Sequence, residues 1–176
     1  ALSTQNFTSA TEANNTALGY NAGKLITTGV RNVLVGSLSG DALTDADDNV
    51  SIGHEALQND TQGSRSTGVG ADALYTPSVS SATDANNTAV GYKSGNAITT
   101  GVQNVLIGNH AGDSLTDADY NVAIGYAALD ADTLGSRSTA VGYNALGTQN
   151  FSSATDTYNT AVGYNAGGAV TTALQN

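Results

Sequence analysis

The chain has 176 residues, with five Lys/Arg against fifteen Asp/Glu, a formal charge of −10, no Cys, Met or Trp, and one Pro. The missing cysteines exclude disulfides and thiolate metal sites, and five scattered basic residues exclude a nucleic-acid partner, which requires clustered Lys/Arg. No apolar run approaches the roughly 18–20 residues of a membrane-spanning helix, so membrane insertion is not expected.

From the N-terminus onward the chain repeats one five-residue word. It opens as Asn15-Thr16-Ala17-Leu18-Gly19 and returns at 32–36, 49–53, 66–70, 87–91, 104–108, 121–125, 138–142 and 159–163. Successive starts are 17, 17, 17 and 21 residues apart, and then the same four steps recur, so a short repeat is nested in one of 72 residues. The second and fourth residues of the word are Thr, Val, Ile or Leu, as in Val33/Val35, Val105/Ile107 and Val122/Ile124. They share one side of a strand and suit a pleated surface, and they are expected to face inward as the apolar core. The third residue is mostly small (Ala17, Ser51, Gly68, Ala89, Ala123, Ala140, Ala161) and is expected on the opposite face, where it permits close approach. The fifth is glycine in every copy: Gly19, Gly36, Gly53, Gly70, Gly91, Gly108, Gly125, Gly142 and Gly163. That requirement fits a positive φ or a tight backbone contact.

The remainder of each repeat is a polar return. Sustained 3.6-residue periodicity is absent and glycine recurs too often for a helix. Each 17-residue unit therefore predicts one coil of an all-β, parallel β-solenoid (a β-roll): a strand, a glycine turn, a second short strand and a return loop. Coils would stack at about 4.8 Å, burying columns that no single repeat could bury alone. The first residue of the word then forms a ladder of Asn15, Asn32, Asn49, Asn87, Asn104, Asn121 and Asn159, interrupted by Ser66 and Ser138. Arg31, Asp48 and Arg65 are also 17 residues apart, so stacking places Asp48 between two guanidinium groups. The 21-residue steps contain the segments 3–14, 75–86 and 147–158, expected as loops projecting once every four coils, about every 19 Å. Their apolar residues Phe7, Val79 and Phe151 either tuck onto the stack or mark a partner contact.

The chain begins and ends within its own period: Ala1-Leu2 matches Ala73-Leu74 and Ala145-Leu146, and Asn176 stands where a tenth word would open. Residues 1–176 are expected to be one continuous array cut from a longer fibre.

The word Asn159-Thr160-Ala161-Val162-Gly163-Tyr164-Asn165-Ala166-Gly167, with Ile98-Thr99-Thr100-Gly101 in the return, resembles the degenerate β-repeats of long phage tail fibres. Asn121-Val122-Ala123-Ile124-Gly125 is similar to the head repeats of YadA-like trimeric autotransporter adhesins, which run on a shorter period. The resemblance spans the whole chain. It implies a parallel β-roll assembled as a homotrimer, projecting from a virion or cell and touching a host surface.

Chemistry is sparse. Asp45, Asp47 and Asn49, like Asp117, Asp119 and Asn121, have an Asp-x-Asp-x-Asn spacing able to place oxygens around Ca²⁺. The glycine and glutamate that complete a calcium loop are replaced by Val50 and Ala56, or Val122 and Ala128, so a solvated return loop is the expectation. His54 and His110 sit at different positions of the repeat without a second His or Cys nearby, and read as surface residues. Tyr20, Tyr92, Tyr126, Tyr143 and Tyr164 follow the invariant glycine and read as covers for the turn, with glycan stacking as the alternative. A two-column Thr face of the ice-binding kind is lacking. No catalytic constellation, cofactor fingerprint or cleft carboxylate pair is present, so no enzymatic activity and no cofactor are expected. The expected function is a structural shaft of an extracellular fibre, a phage tail fibre or similar filament serving host attachment. The alternative is a bacterial surface adhesin whose loops bind host glycans or proteins.

Overall fold

A computed structural model describes residues 1–7, 12–76 and 83–176. Nine three-residue strands form one parallel sheet: β1 (Thr16–Leu18), β2 (Val33–Val35), β3 (Val50–Ile52), β5 (Thr67–Val69), β7 (Thr88–Val90), β8 (Val105–Ile107), β9 (Val122–Ile124), β11 (Thr139–Val141) and β13 (Thr160–Val162). Each pairs with the next in exact repeat register, as in Thr16 with Val33 and Thr139 with Thr160. The word is the strand, and the coil is a β-solenoid turn. Among the described residues no helix is long and apolar enough to cross a membrane.

A second strand in every coil is not what the chain builds. Among the described residues, two-residue strands occur only around the longer coil, where β4 (Gly63–Ser64) pairs with β6 (Thr83–Asp84) and β10 (Gly135–Ser136) with β12 (Thr155–Asp156). Elsewhere the chain turns continuously, yet its amides still bond to the next coil: Gly23 N–H to Ser39 (3.0 Å), Leu25 N–H to Asp41 (2.9 Å) and Thr27 N–H to Thr44 (2.9 Å). Stacking satisfies the backbone without regular strand geometry, because each turn lies over an identical one. The Thr hydroxyls add to this, Thr44 donating to the Thr61 carbonyl (3.0 Å) and Thr116 to that of Thr133 (3.0 Å).

The facing of the strands is the reverse of that expected from the β-branched second and fourth residues. The third residue of the word points inward: Leu34, Ser51, Ala89, Leu106, Ala123 and Ala140 are completely buried. The second and fourth residues point outward, and none of them is buried in any coil. At this position the narrow interior takes Gly, Ala, Ser or Leu, together with the inward asparagine or serine two residues earlier. Around the coil, volume is exchanged between positions. Where the fourth residue after the invariant glycine is Gly23, Gly40, Gly95 or Gly112, the space is filled by Ile26, Leu43, Ile98 or Leu115. A Cβ on Gly23 would sit 2.6 Å from Leu34 Cδ1. In the third and fourth coils that position holds Leu57, Leu74, Leu129 or Leu146, each held at φ of 50–52°. Each fully buried leucine contributes about 1.5–3 kcal/mol, enough to offset a strained φ of about 1–2 kcal/mol.

The asparagine ladder exists and is buried. Asn32 Oδ1 accepts from the Asn49 amide (3.0 Å), while Asn32 Nδ2 donates to the Ala46 carbonyl (2.7 Å). Asn104 repeats this with the Asn121 amide (2.9 Å) and Ala118 carbonyl (2.8 Å). One side chain thus links its own coil to the next and ties strand to return loop. The glycine column has both properties that require glycine. Its φ runs from 129° to 141°, and a Cβ on Gly36 would lie 2.3 Å from the Gly53 carbonyl oxygen.

Candidate functional site

The functional surfaces are three sides of the stack: the outer sheet face, the turn edge after each glycine, and the return loops. On the outer face, the second and fourth columns present Thr, Val and Ile side by side from β1 to β13. Ile52, Val90 and Ile107 are 36–39% exposed and the terminal Leu18 and Val162 69%. All-parallel sheets ordinarily have both faces covered. Here the coil covers the inner face alone, leaving along the whole stack an apolar strip of fourth residues beside a second column that mixes Val with Thr.

The turn edge is aromatic. Tyr126 and Tyr143 stack at 5.3 Å between centroids, Tyr143 and Tyr164 at 5.2 Å. His110 continues the row, edge-on to Tyr92 (5.4 Å) and to Tyr126 (6.0 Å). Tyr126, Tyr143 and Tyr164 thus turn ring faces to one another, while all five tyrosines of this edge stay exposed, Tyr20 to 72% and Tyr164 to 80%. His110 Nδ1 lies 2.9 Å from Asp113 Oδ2, and His110, Asp113 and Asp130 offer three ligand atoms all within 4.8 Å of one another. Burial, with the Asp113 carboxylate adding to it, pushes the Asp130 carboxyl up from its ordinary value. A second group of this kind is His54, Glu55 and Asp72. Neither is visible as linear spacing, since one ligand of each comes from the following coil. Comparison of residues 72 apart is the signal that reveals the first.

The return loops use their acids to hold the preceding coil. Asp47 Oδ1 accepts from the Val30 amide and Asp119 Oδ1 from the Val102 amide, both at 2.8 Å. Asp45 Oδ1 accepts from Thr28 Oγ1 (2.6 Å) and Asp117 Oδ1 from Thr100 Oγ1 (2.5 Å). Each calcium candidate thus gives one oxygen to the coil before it, and among the described residues the metal-capable groups of three lie elsewhere. Arg31 forks onto Asp48 with contacts of 2.5 and 2.9 Å, and this hydrogen bond holds the Asp48 carboxyl below its ordinary value. Arg65 does not complete the expected sandwich but pairs with Asp84 in the next coil.

Of the longer loops, 147–158 is described throughout. It does not project as a whole. Gln149, Phe151 and Thr157 are buried, Phe151 to 6% exposure, while Ser152, Ser153 and Ala154 form a continuous exposed tip and Thr148, Asn150, Asp156 and Tyr158 are exposed singly. Phe151 therefore takes the place on the stack rather than a place at a partner surface. Phe7 is half-buried, and Val79 lies outside the described residues. The buried network behind this loop was not anticipated: Gln149 Nε2 donates to Asp132 Oδ2 (2.5 Å) and to Ser138 Oγ (2.9 Å), and Gln149 Oε1 accepts from Asn159 (2.8 Å). Ser138, which stands in the ladder's place for asparagine, is part of this network through its hydroxyl.

No family model matches the chain, and no curated protein or solved structure is similar to it.

Proposed function

We propose that the protein is a structural shaft of an extracellular fibre, of the phage tail-fibre kind, in which copies of the chain associate through the outer sheet face as a homotrimer. The observation that carries the reading is the uncovered apolar strip on an unbroken in-register stack. The stack resists bending along its axis through backbone ladders in every coil. The strip is continuous and self-similar, and a second copy presents the same periodicity to it. Three strips meeting on one axis would bury all of them at once, and the shaft would then hold a host-binding part at a distance.

Two measurements test this. Small-angle scattering should show a rod that shortens by about 19 Å when one 72-residue block is deleted, four coils at about 4.8 Å each. A compact particle whose length ignores coil number would sink the shaft. Sedimentation equilibrium should give three times the chain mass. The outward pair Val105→Lys and Ile107→Lys should reduce it to one, with the circular dichroism of the coils preserved. A monomeric parent chain would remove the trimer and leave the rod intact.

The exposed tip at 152–154 favours a second reading, a shaft that itself touches host glycans or proteins. Deleting these three residues should then abolish adsorption, and unchanged adsorption would remove this reading.

A further inference from the structure

We propose that His110, Asp113 and Asp130 form a binding site for a divalent transition-metal ion that clips the sixth coil to the seventh. The inference does not depend on the fibre reading.

The super-repeat serves as an internal control. The residue five after each invariant glycine forms a column along the turn edge. In the first 72-residue block this column reads Lys24, Asp41, Gln58, so its carboxylate stands between a cation and a neutral amide. In the second block the same places hold Asn96, Asp113 and Asp130. Two carboxylates now occupy successive coils with no lysine in the column, an arrangement that costs free energy unless a positive charge joins them. A second exchange converges on the same point. Where the first block has Leu38, the second has His110, and its imidazole reaches the acid pair.

The geometry fits a shared ion. His110 Nδ1 and Asp113 Oδ2 are 2.9 Å apart, and all three ligand atoms lie within 4.8 Å of one another. Two ligands bound at about 2.0–2.2 Å in tetrahedral or octahedral arrangement stand about 3–3.5 Å apart. The imidazole is already oriented, edge-on between Tyr92 and Tyr126 and at a backbone φ of 59°. One nitrogen and two carboxylate oxygens suit Zn²⁺ and its neighbours rather than Ca²⁺, and leave a position for water. The three side chains are partly buried, which reduces competition from bulk solvent.

The first block carries a histidine with two acids as well, but elsewhere: His54 and Glu55 with Asp72 of the following coil. Its counterparts 72 residues on are Tyr126, Ala127 and Asn144, so the two groups are not copies of one ancestral unit. The more exposed His54 group is removed in the test by His54→Tyr, which installs the residue found 72 positions later.

The experiment titrates Zn²⁺ alone into the full, chelator-stripped H54Y chain by calorimetry at neutral pH. One saturable Zn²⁺ per chain is expected. His110→Leu and Asp130→Gln place at each position the residue the first block already tolerates there, so both variants should fold. Each should weaken Zn²⁺ by more than about tenfold and leave thermal unfolding in chelator unchanged. Co²⁺ in place of Zn²⁺ should give visible absorption bands in H54Y that both variants lose. Absence of saturable binding in H54Y overturns the proposal. So does binding that survives H110L and D130Q, which would assign the metal to the acidic return loops.

Discussion

The third coils of the two 72-residue blocks begin alike and finish differently. Both replace the buried Ile or Leu before the recurrent Thr with an aspartate, Asp60 or Asp132, and both move the core leucine to Leu57 or Leu129. Each aspartate folds back on its own turn, Asp60 Oδ1 accepting from Gly63 N–H (2.8 Å) and Asp132 Oδ1 from Gly135 N–H (3.1 Å). In the second block a side chain from the next coil completes the site, Gln149 reaching Asp132, Ser138 and Asn159 together; among the described residues the first block shows no counterpart. The residue 72 positions before Gln149 is Pro77, which has no amide to offer. Among the described residues the donors to Asp60 are backbone amides, and burial, against those donors, pushes its carboxyl up from the ordinary value. A repeat copies its turn because the turn is local. The polar completion of a buried acid depends on a residue 17 positions away and is free to diverge.

The largest expected effect is one that should ignore the difference between the blocks. Gly53→Ala and Gly125→Ala both place a Cβ 2.4 Å from the next glycine's carbonyl oxygen, at φ of 140° and 131°. Each should cost more than about 3 kcal/mol in urea unfolding, because strain and backbone overlap add. Unequal losses would mean that one block can open its stack.

Next in size, Gln149→Leu should cost about 2–4 kcal/mol, since it strips a donor from buried Asp132 and an acceptor from Asn159. Hydrogen exchange should accelerate in β11 and β13 and stay unchanged in β2 and β3. Uniform acceleration would show that the blocks do not unfold separately.

The smallest effect belongs to Asp60→Asn, which should stabilise the chain at neutral pH. A raised folded value means that the unfolded state ionises first as pH rises. The penalty is therefore absent below the ordinary carboxyl value of 3.8, grows from there up to the raised folded value, and is complete above it. The melting temperature of Asp60→Asn should exceed that of the parent at pH 7 and converge with it near pH 3. A constant offset would show that the amide acts through packing rather than charge.

Coil length, register, the glycine requirement and the asparagine ladder were all legible in the chain, because each recurs at the stacking interval. The Arg31–Asp48 pair was legible for the same reason. What the word concealed was its facing. Val33 and Val35 are the β-branched pair and read as core, whereas Leu34 between them is the residue that is buried. Gln149 and the His110 group were hidden because each draws a partner from an adjacent coil, Asp132 for Gln149 and Asp130 for His110.

By itself, then, the sequence determined a parallel all-β stack of 17- and 21-residue coils. Identical units with an obligatory glycine have one economical way to pair, each over its copy, and the period alone states it. Only the tertiary structure decided which side of the strand became interior. A coil this short encloses room for an Ala or Leu and an asparagine that bonds twice, and the β-branched columns must then lie on the flat outer face. Hydrophobicity ranks the residues, but the volume inside the coil assigns them.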